Sequence, residues 1–143
     1  MGFADSVRKA ANRQLEELDK KITEMAIELF TAAVDFSPTQ PSAKYAKGHF
    51  INNWQAASNA SIVSETSALS LTGAESRASI ASLRGRKAFL GTDGYVTLTN
   101  NVSYAGLVEY AGWQQPKWLG RVGPYAPVRQ AFTKVVPKYK GAP

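Results

Sequence analysis

The chain has 143 residues, of which 44% are hydrophobic and 20% are charged, values typical of a soluble globular protein. This length is enough for a single domain with a substantial core. The chain contains no cysteine, which excludes disulfides, thiol catalysis and every Cys-based metal site. No apolar run reaches the roughly eighteen residues of a membrane span and no signal segment opens the sequence, so we expect a protein without membrane contact.

The formal net charge of +6 is unevenly distributed along the chain. Residues 1–35 carry five basic and seven acidic side chains, whereas residues 36–143 carry twelve basic and four acidic ones. A basic second part attracts nucleic acid or an acidic protein surface. Its basic residues are scattered, however, and only Arg84, Arg86 and Lys87 form a cluster, so charge alone does not favour nucleic acid.

A long amphipathic helix is predicted at the start of the chain, where Asp5 to Phe36 contain no Gly or Pro. Asp5 or Ser6 can cap it, and Pro38 ends it, so residues 1–37 form one helical segment. Apolar residues recur along it at spacings of three and four, as a face that packs on a core does: Leu15, Leu18, Ile22, Met25, Leu29, Ala32 and Phe36. Ile27, Phe30 and Val34 broaden this face toward the C-terminal half. At about 48 Å the helix is longer than a small domain needs. It therefore either lies over a sheet of its own chain or extends its first turns to a neighbouring subunit.

The middle of the chain predicts one strand and a weakly apolar segment. His49 to Ala56 alternates as a strand, with the bulky Phe50 and Trp54 on one face beside Asn52. Residues 57–88 contain few large apolar side chains to offset the entropy of ordering them, so we expect this segment to be flexible in the free subunit. Within it, Thr72-Gly73-Ala74-Glu75 has the spacing of a capping box before a small helix that ends at Gly85.

The last third predicts a hairpin and two helices. Phe89 to Asn100 reads as a β-hairpin around the turn dipeptide Asp93-Gly94. A short helix follows from Tyr104 to Tyr110, and a final helix begins at Pro127, is broken by Pro137 and leaves residues 138–143 as a frayed basic tail. The inner side of the final helix is predicted to carry Val128, Ala131, Phe132, Val135 and Val136. Together these elements predict one α+β domain, in which the long N-terminal helix and shorter helices pack on a small antiparallel sheet.

Residues suited to catalysis are scarce. The only histidine, His49, has no acidic neighbour in the sequence, and the carboxylates of the long helix are interleaved with lysines, which indicates surface ion pairs. No metal-ligand spacing occurs, and Gly85 to Gly94 has no phosphate-loop pattern. We therefore expect no catalytic residue, no cofactor and no metal, and the inventory disfavours a small hydrolase.

An aromatic, basic loop spans Trp113 to Pro124. Its residues and their neighbours could stack bases and hold phosphates, so a small basic nucleic-acid-binding module is an alternative function: Tyr110, Trp113, Trp118 and Tyr125, with Lys117, Arg121 and Arg129. The same residue types dominate protein interfaces, and we favour a loop that faces a partner protein. We expect Trp113 to be structural. The predicted partner-facing residues are Trp118, Lys117 and Arg121 in this loop and Arg84, Arg86 and Lys87 upstream.

Three parts of the chain, residues 102–112, residues 123–132 and residues 37–39 with 48–54, resemble segments of a family of tailed-phage tail-completion, or neck, proteins. Residues 102–112 match most of its Y-A-x-x-V-E-Y-G signature, with Ala111 at the position of the glycine; the matching residues are Tyr104, Ala105, Val108, Glu109 and Tyr110. Residues 123–132 resemble the proline-containing entry to the family's last helix, with Pro127 in place. Upstream, residues 37–39 and 48–54 match the two ends of its S-P-x-D-T-G-x-L-x-x-S-W stretch.

This resemblance implies a virion structural protein that joins head to tail, completes or terminates the tail, and assembles in the host cytoplasm. It implies a homo-oligomeric ring, a hexamer on family grounds, between connector or head-closure proteins and tail-tube proteins. DNA would pass through such a ring without sequence-specific binding. Within the signature we expect Tyr104, Val108 and Tyr110 to pack on the sheet and Glu109 to bond a nearby basic or backbone group.

Overall fold

The structure, a computed structural model, describes residues 2–114, 121–122 and 124–140. Its elements in chain order are α1 (Phe3–Asp35), β1 (Trp54–Ser58), α2 (Ala74–Ala81), β2 (Val96–Asn100), a π-helical turn (Leu107–Ala111), β3 (Trp113–Gln114), β4 (Arg121–Val122) and α3 (Pro127–Tyr139). The predicted α+β class is confirmed: a long N-terminal helix and shorter helices accompany two small antiparallel sheets, β1 with β2 and β3 with β4. Lys117 and Trp118 lie outside the described residues.

The main core takes Ile27 and Val34, at the edge of the apolar face predicted for α1. The buried side chains in its middle are Asp19, Thr23 and Ile27, whereas Leu15 and Leu18 are more than half exposed. The Asp19 carboxylate accepts the Phe89 N–H at 2.9 Å, so a polar side chain holds this face to the rest of the chain. Helix α1 therefore carries two stripes. The stripe with more large apolar side chains, which includes Leu15 and Leu18, does not face the main core.

The helix also begins earlier than expected. Gly2 occupies the N-cap position and makes no side-chain cap, so neither Asp5 nor Ser6 caps the helix; both lie within its first turn. The Asp5 carboxylate instead accepts from the Arg8 guanidinium at 3.4 Å on the surface. At the other end the helix stops at Asp35, just before Pro38, as predicted.

Two hydrophobic clusters hold the elements together. The main cluster joins α1, β1, α2 and the π turn, through residues that include Val34, Phe50, Trp54, Ile80 and Val108. The smaller cluster lies between α1 and α3 and consists of Ala32, Ala33, Ala131 and Val135. The small side chains of the second cluster allow the two helices to approach closely.

Buried Trp54 joins the main cluster to the end of α1. Its ring meets Phe50 edge-on, with centroids 5.6 Å apart. Its indole N–H donates to the Ser37 hydroxyl at 2.8 Å, and Ser37 in turn donates to the Ala33 carbonyl at 2.7 Å. The polar atom of the tryptophan is therefore satisfied while its large apolar surface is buried, as buried tryptophans require.

The sheet pairs distant segments. In the antiparallel β1–β2 pair Trp54 lies opposite Asn100 and Ser58 opposite Val96. The predicted hairpin within Phe89–Asn100 is therefore wrong, because β2 pairs with β1 and not with the segment before Asp93-Gly94. The predicted start of the first strand at His49 is also wrong, since residues 47–52 form helical turns and the strand begins at Trp54. Alternation shows that a segment suits a sheet, but it carries no information about the partner strand.

Helix α2 closes the outer edge of β1 with its hydroxyl groups. The Trp54 N–H donates to Ser76 Oγ and the Ala56 N–H donates to Ser79 Oγ, both at 2.9 Å. Ser76 also donates to the Ile51 carbonyl at 2.7 Å. These serines take the place of a third strand, because they satisfy the backbone groups that a neighbouring strand would otherwise bond.

The predicted capping box at the start of α2 is wrong. Gly73 occupies the N-cap position with φ of 73°, and no side-chain cap comes from it. A side chain there would meet Val34 and Ile51 at about 3 Å, so glycine is required for close packing as well as for its left-handed backbone. The free N–H of Glu75 donates instead to Asn52 Oδ1 at 3.1 Å.

Two fully buried asparagines fix the segment before α2. Asn52 Nδ2 donates to the carbonyls of Gly48 and Ser70 at 2.8 and 2.6 Å. Asn53 Nδ2 donates to the Thr66 carbonyl at 3.2 Å, and the Thr66 N–H donates back to Asn53 Oδ1 at 2.8 Å. Residues 64–71 are thus held by side chains and not by a backbone ladder. The flexibility predicted for residues 57–88 in the free subunit stays a prediction.

Helix α3 begins at Pro127 as predicted but runs through Pro137 to Tyr139, so the predicted break is wrong. Pro137 removes one backbone bond in the last turn, where two contacts compensate. The Lys138 ammonium and the Tyr139 hydroxyl both donate to the Glu28 carboxylate on α1. The predicted frayed tail therefore does not include these two residues, and residues 141–143 lie outside the described part of the chain.

We expect Asn52→Ala to lower the free energy of unfolding by about 2–3 kcal/mol, because it leaves several buried backbone groups without their partner. Urea titration followed by circular dichroism measures the change. Asn12→Ala, on the exposed surface of α1, is the matched control and should alter stability by less than about 0.5 kcal/mol. Equal effects of the two substitutions would contradict the role assigned to Asn52.

Candidate assembly surfaces

The first half of α1 extends beyond the rest of the chain. Every residue from 3 to 18, a segment we call the arm, is exposed. Sixteen helical residues span about 24 Å. A helix of this length is marginal in water unless one of its faces packs against something. The first turns of α1 thus project beyond their own domain, and their contact with a neighbouring subunit stays a prediction.

The arm carries an apolar stripe. Phe3, Val7, Leu15 and Leu18 are among the most exposed large hydrophobic residues, and Phe3 is 85% exposed. Spacings of four, eight and three residues, at about 100° per residue, keep all four within one third of the helix circumference. Ala11 fills the gap in the middle of the stripe. The same face continues toward the domain through Ile22, Met25 and Leu29.

An apolar groove of about 620 Å³ lies where this stripe reaches the domain. Its walls are α1 and α3 and its far side is β2; the main lining residues are Ile22, Met25, Leu29, Val96, Phe132 and Val136. Phe132 and Val136 were predicted to face inward, but they are 51% and 42% exposed. They form the open wall of this groove, while Ala131 and Val135 pack against α1.

The outer edge of β2 is open beside the groove. The Asn59 N–H donates to the Tyr95 carbonyl at 2.8 Å, and the antiparallel alternation then directs the backbone groups of Leu98 away from β1. In the part of the chain that the structure describes, those groups have no hydrogen-bond partner. Open strand edges are sites where another chain can pair.

The signature segment fastens α3 to the fold. Buried Glu109, in the π turn, accepts the Val128 N–H at 2.7 Å and the Arg129 guanidinium at 3.0 Å. Arg129 also donates to the Glu109 carbonyl. Because Ala126, the N-cap residue of α3, makes no side-chain cap, Glu109 supplies the missing acceptor from another element. The prediction that Glu109 bonds a basic or backbone group is confirmed, and both occur.

The remaining signature residues divide between core and surface. Val108 is fully buried, and buried Tyr104 stacks on Tyr45 with ring centroids 3.7 Å apart. Burial raises the pKa of the Tyr104 hydroxyl. Tyr110 was expected on the sheet, but it is 71% exposed, with the Arg129 guanidinium 5.3 Å from its ring centroid. Ala105 is half-buried and Pro127 is buried at the first position of α3.

Two of the basic residues predicted to face a partner, Arg84 and Arg86, have contacts within the chain. Arg84 makes a two-point contact with the Glu24 carboxylate, at 2.7 and 3.1 Å, and Arg86 donates to the Ser82 carbonyl at 3.1 Å. Lys87 has a left-handed backbone with φ of 54°. Arg121 begins β4, whose partner strand β3 begins with Trp113. The assignment of these residues to an interface stays a prediction.

Ion pairs on α1 shift two carboxylate pKa values. The hydrogen bond from Arg84 lowers the pKa of Glu24. The hydrogen bonds from Lys138 and Tyr139 lower the pKa of Glu28. Both carboxylates are therefore charged at neutral pH, and one holds the segment after α2 while the other holds the last turn of α3.

The described residues contain few groups suited to chemistry. His49 Nε2 lies 3.3 Å from Glu65, an acidic neighbour that the sequence did not indicate, and the pair is partly exposed. No group of three or more potential metal ligands occurs among the described residues. None of the helices in that part of the chain is long and apolar enough to cross a membrane.

Comparison with protein-family models, with curated proteins and with solved structures gives no match to this chain. The fold by itself defines this protein as an α+β domain with a projecting helical arm and an apolar groove.

We expect Glu109→Ala to lower the free energy of unfolding by about 2 kcal/mol, because it uncaps α3 and leaves Arg129 unpaired. Glu109→Gln keeps an acceptor for the Val128 N–H and should cost about half as much. The control, Glu75→Ala, removes an exposed carboxylate from the first turn of α2 and should cost less than about 0.5 kcal/mol. Chemical denaturation distinguishes the three, and equal losses for all of them would refute the cap.

Acid should weaken the attachment of α3 to α1. A carboxylate whose pKa is lowered on folding contributes stability above its unfolded pKa of about 4, and this contribution disappears as the pH falls through the folded pKa. The effect is small because the Glu28 pair is exposed. We expect wild type to be slightly more stable than Glu28→Gln at pH 7 and equal to it near pH 2. Urea midpoints of both proteins at the two pH values test this, and an unchanged difference would contradict it.

Proposed function

We propose that this chain is a structural subunit of the neck of a tailed phage, which assembles as a ring that completes or terminates the tail and joins it to the head. The observation that carries the proposal is the exposed arm, whose apolar stripe is not buried by any described part of its own chain. A closed ring requires two different complementary surfaces on each subunit. The arm and the groove are two such surfaces.

The signature segment supports the proposal in a second way. Glu109 and Val108 have structural roles, since one caps α3 and the other is fully buried. A motif that fixes the packing of the last helix is expected in a structural subunit. We accordingly propose no catalytic function for Tyr104, Glu109 or Tyr110.

The alternative, a nucleic-acid-binding module, needs free basic side chains. Four of the basic groups after residue 36 pair with carboxylates of their own chain: Arg77 with Asp35, Arg84 with Glu24, Arg129 with Glu109 and Lys138 with Glu28. Each pair reduces the charge available to phosphates. This favours a protein partner over nucleic acid.

We expect the purified chain to associate in a concentration-dependent manner and to occur in assembled phage particles as a closed ring between head and tail. Sedimentation and electron microscopy of particles test the two statements. Isolated monomers within particles would reject the ring. Tight duplex-DNA binding that weakens steeply between two salt concentrations would instead support the alternative.

A further inference from the structure

We propose that the arm of one copy of this chain (residues 3–18) lies in the α1–α3 groove of another copy. The inference deepens the proposed ring function, because it names the contact that would join neighbouring subunits. It rests on two properties of the single chain: the position of the apolar stripe and the length of the arm.

The position of the stripe makes the contact possible only between copies. Phe3 and Val7 lie about 22–28 Å before Ile22 along a straight helix, so they cannot fold back into the groove of their own chain. They carry the large apolar side chains that such a groove accepts. A helix that places its apolar face in a hydrophobic groove is a common mode of recognition, with anchors at spacings of three and four. The arm has this spacing.

The proposed contact does not depend on the charges of α1. Residues 2–14 carry three basic side chains and one acidic one, whereas residues 15–35 carry two basic and six acidic ones. Glu24 and Glu28 do not line the groove, and they already pair with Arg84 and Lys138 of their own chain. On the arm, Lys9 lies about 200° and Arg13 about 240° around the helix from Val7, on the side away from the stripe, so the proposed contact is an apolar one.

The length of the arm predicts a weak single contact. A helix face about 24 Å long and about 10 Å wide covers much less than the roughly 800 Å² that each partner of a stable complex buries. In a ring each subunit gives one arm and receives another, so every subunit gains two contacts once the ring closes. Association of the free chain should therefore be weak, and a method that traps brief contacts is needed to detect it.

Disulfide trapping suits this chain, because it contains no cysteine of its own. In the double variant Val7→Cys/Val136→Cys, one thiol lies on the stripe and the other on the open wall of the groove. The two positions are too far apart for a bond within one chain, which needs Cα atoms about 4.4–6.8 Å apart. We expect mild oxidation to give covalent oligomers. In the control, Lys9→Cys/Val136→Cys, the arm thiol sits about 200° around the helix from Val7 and should form at most a tenth as much product.

A second variant tests the contact without cross-linking. Val7→Asp/Leu15→Asp places charges on the stripe, and it should abolish oligomers in sedimentation at concentrations where the wild type associates. Its melting temperature at low concentration should equal that of the wild type, because neither side chain contributes to the core. Persistent association of this variant would overturn the inference.

The outcomes separate the inference from the proposed function. A ladder of covalent oligomers that ends at a closed ring supports both. Covalent dimers alone support the arm–groove contact but reject the ring. Rings in particles without preferential trapping at Val7 reject the contact but leave the proposed function standing. A chain that is monomeric at all concentrations, with no trapped product, overturns the inference.

Discussion

The main sheet has only two strands, and this constraint shapes most of the fold. A two-stranded pair is marginally stable by itself, because it buries little and leaves backbone groups open on both edges. Here one edge is completed by the hydroxyls of Ser76 and Ser79, which hold α2 in the place of a third strand. Asn52 and Asn53 likewise bond backbone groups of Ser70 and Thr66 in the segment before α2. Short polar side chains thus provide the order that a larger sheet would provide with its ladder.

A second constraint is that helix α1 must pack against both hydrophobic clusters. Its C-terminal half faces the main cluster through Ile27 and Val34 and faces α3 through Ala32 and Ala33. A third, half-buried line of side chains, which includes Ile22 and Met25, remains for the groove. Toward the N-terminus the first two faces end and only the third continues. The arm is therefore a continuation of the groove surface beyond the domain.

The sequence allowed prediction of those elements that local signals define. The absence of Gly and Pro from α1, the proline at the start of α3 and the alternation of β2 are local signals, and all three elements are present. The pairing of β1 with β2 joins positions about forty residues apart, and no local signal encodes it. The asparagine network was missed for a related reason: Asn52 was placed correctly on a buried face, but its partners, among them Ser70, are distant in sequence. Within α1, two stripes of similar spacing compete, so periodicity could not show which one the core would take.

The candidate surfaces were predicted in the same uneven way. The resemblance indicated a bond to Glu109, because a carboxylate within an apolar motif needs a partner when it is buried. It did not indicate that Tyr110 would be exposed, with the Arg129 guanidinium over its ring. The groove could not be predicted at all, because its two walls come from opposite ends of the chain. Only the overlong first helix signalled that a surface would extend beyond the domain.

The signature segment and the groove are connected through α3. Glu109 holds the first turn of α3 and Glu28 holds its last turn, so the helix is fixed at both ends. Between these two points α3 directs Ala131 and Val135 onto α1 and leaves Phe132 and Val136 on the open side. Rotation of α3 by one residue, about 100°, would bury the open side chains and remove the groove wall. The carboxylates of Glu109 and Glu28, which bond groups of their own chain, therefore determine the surface on which we propose a second copy to bind.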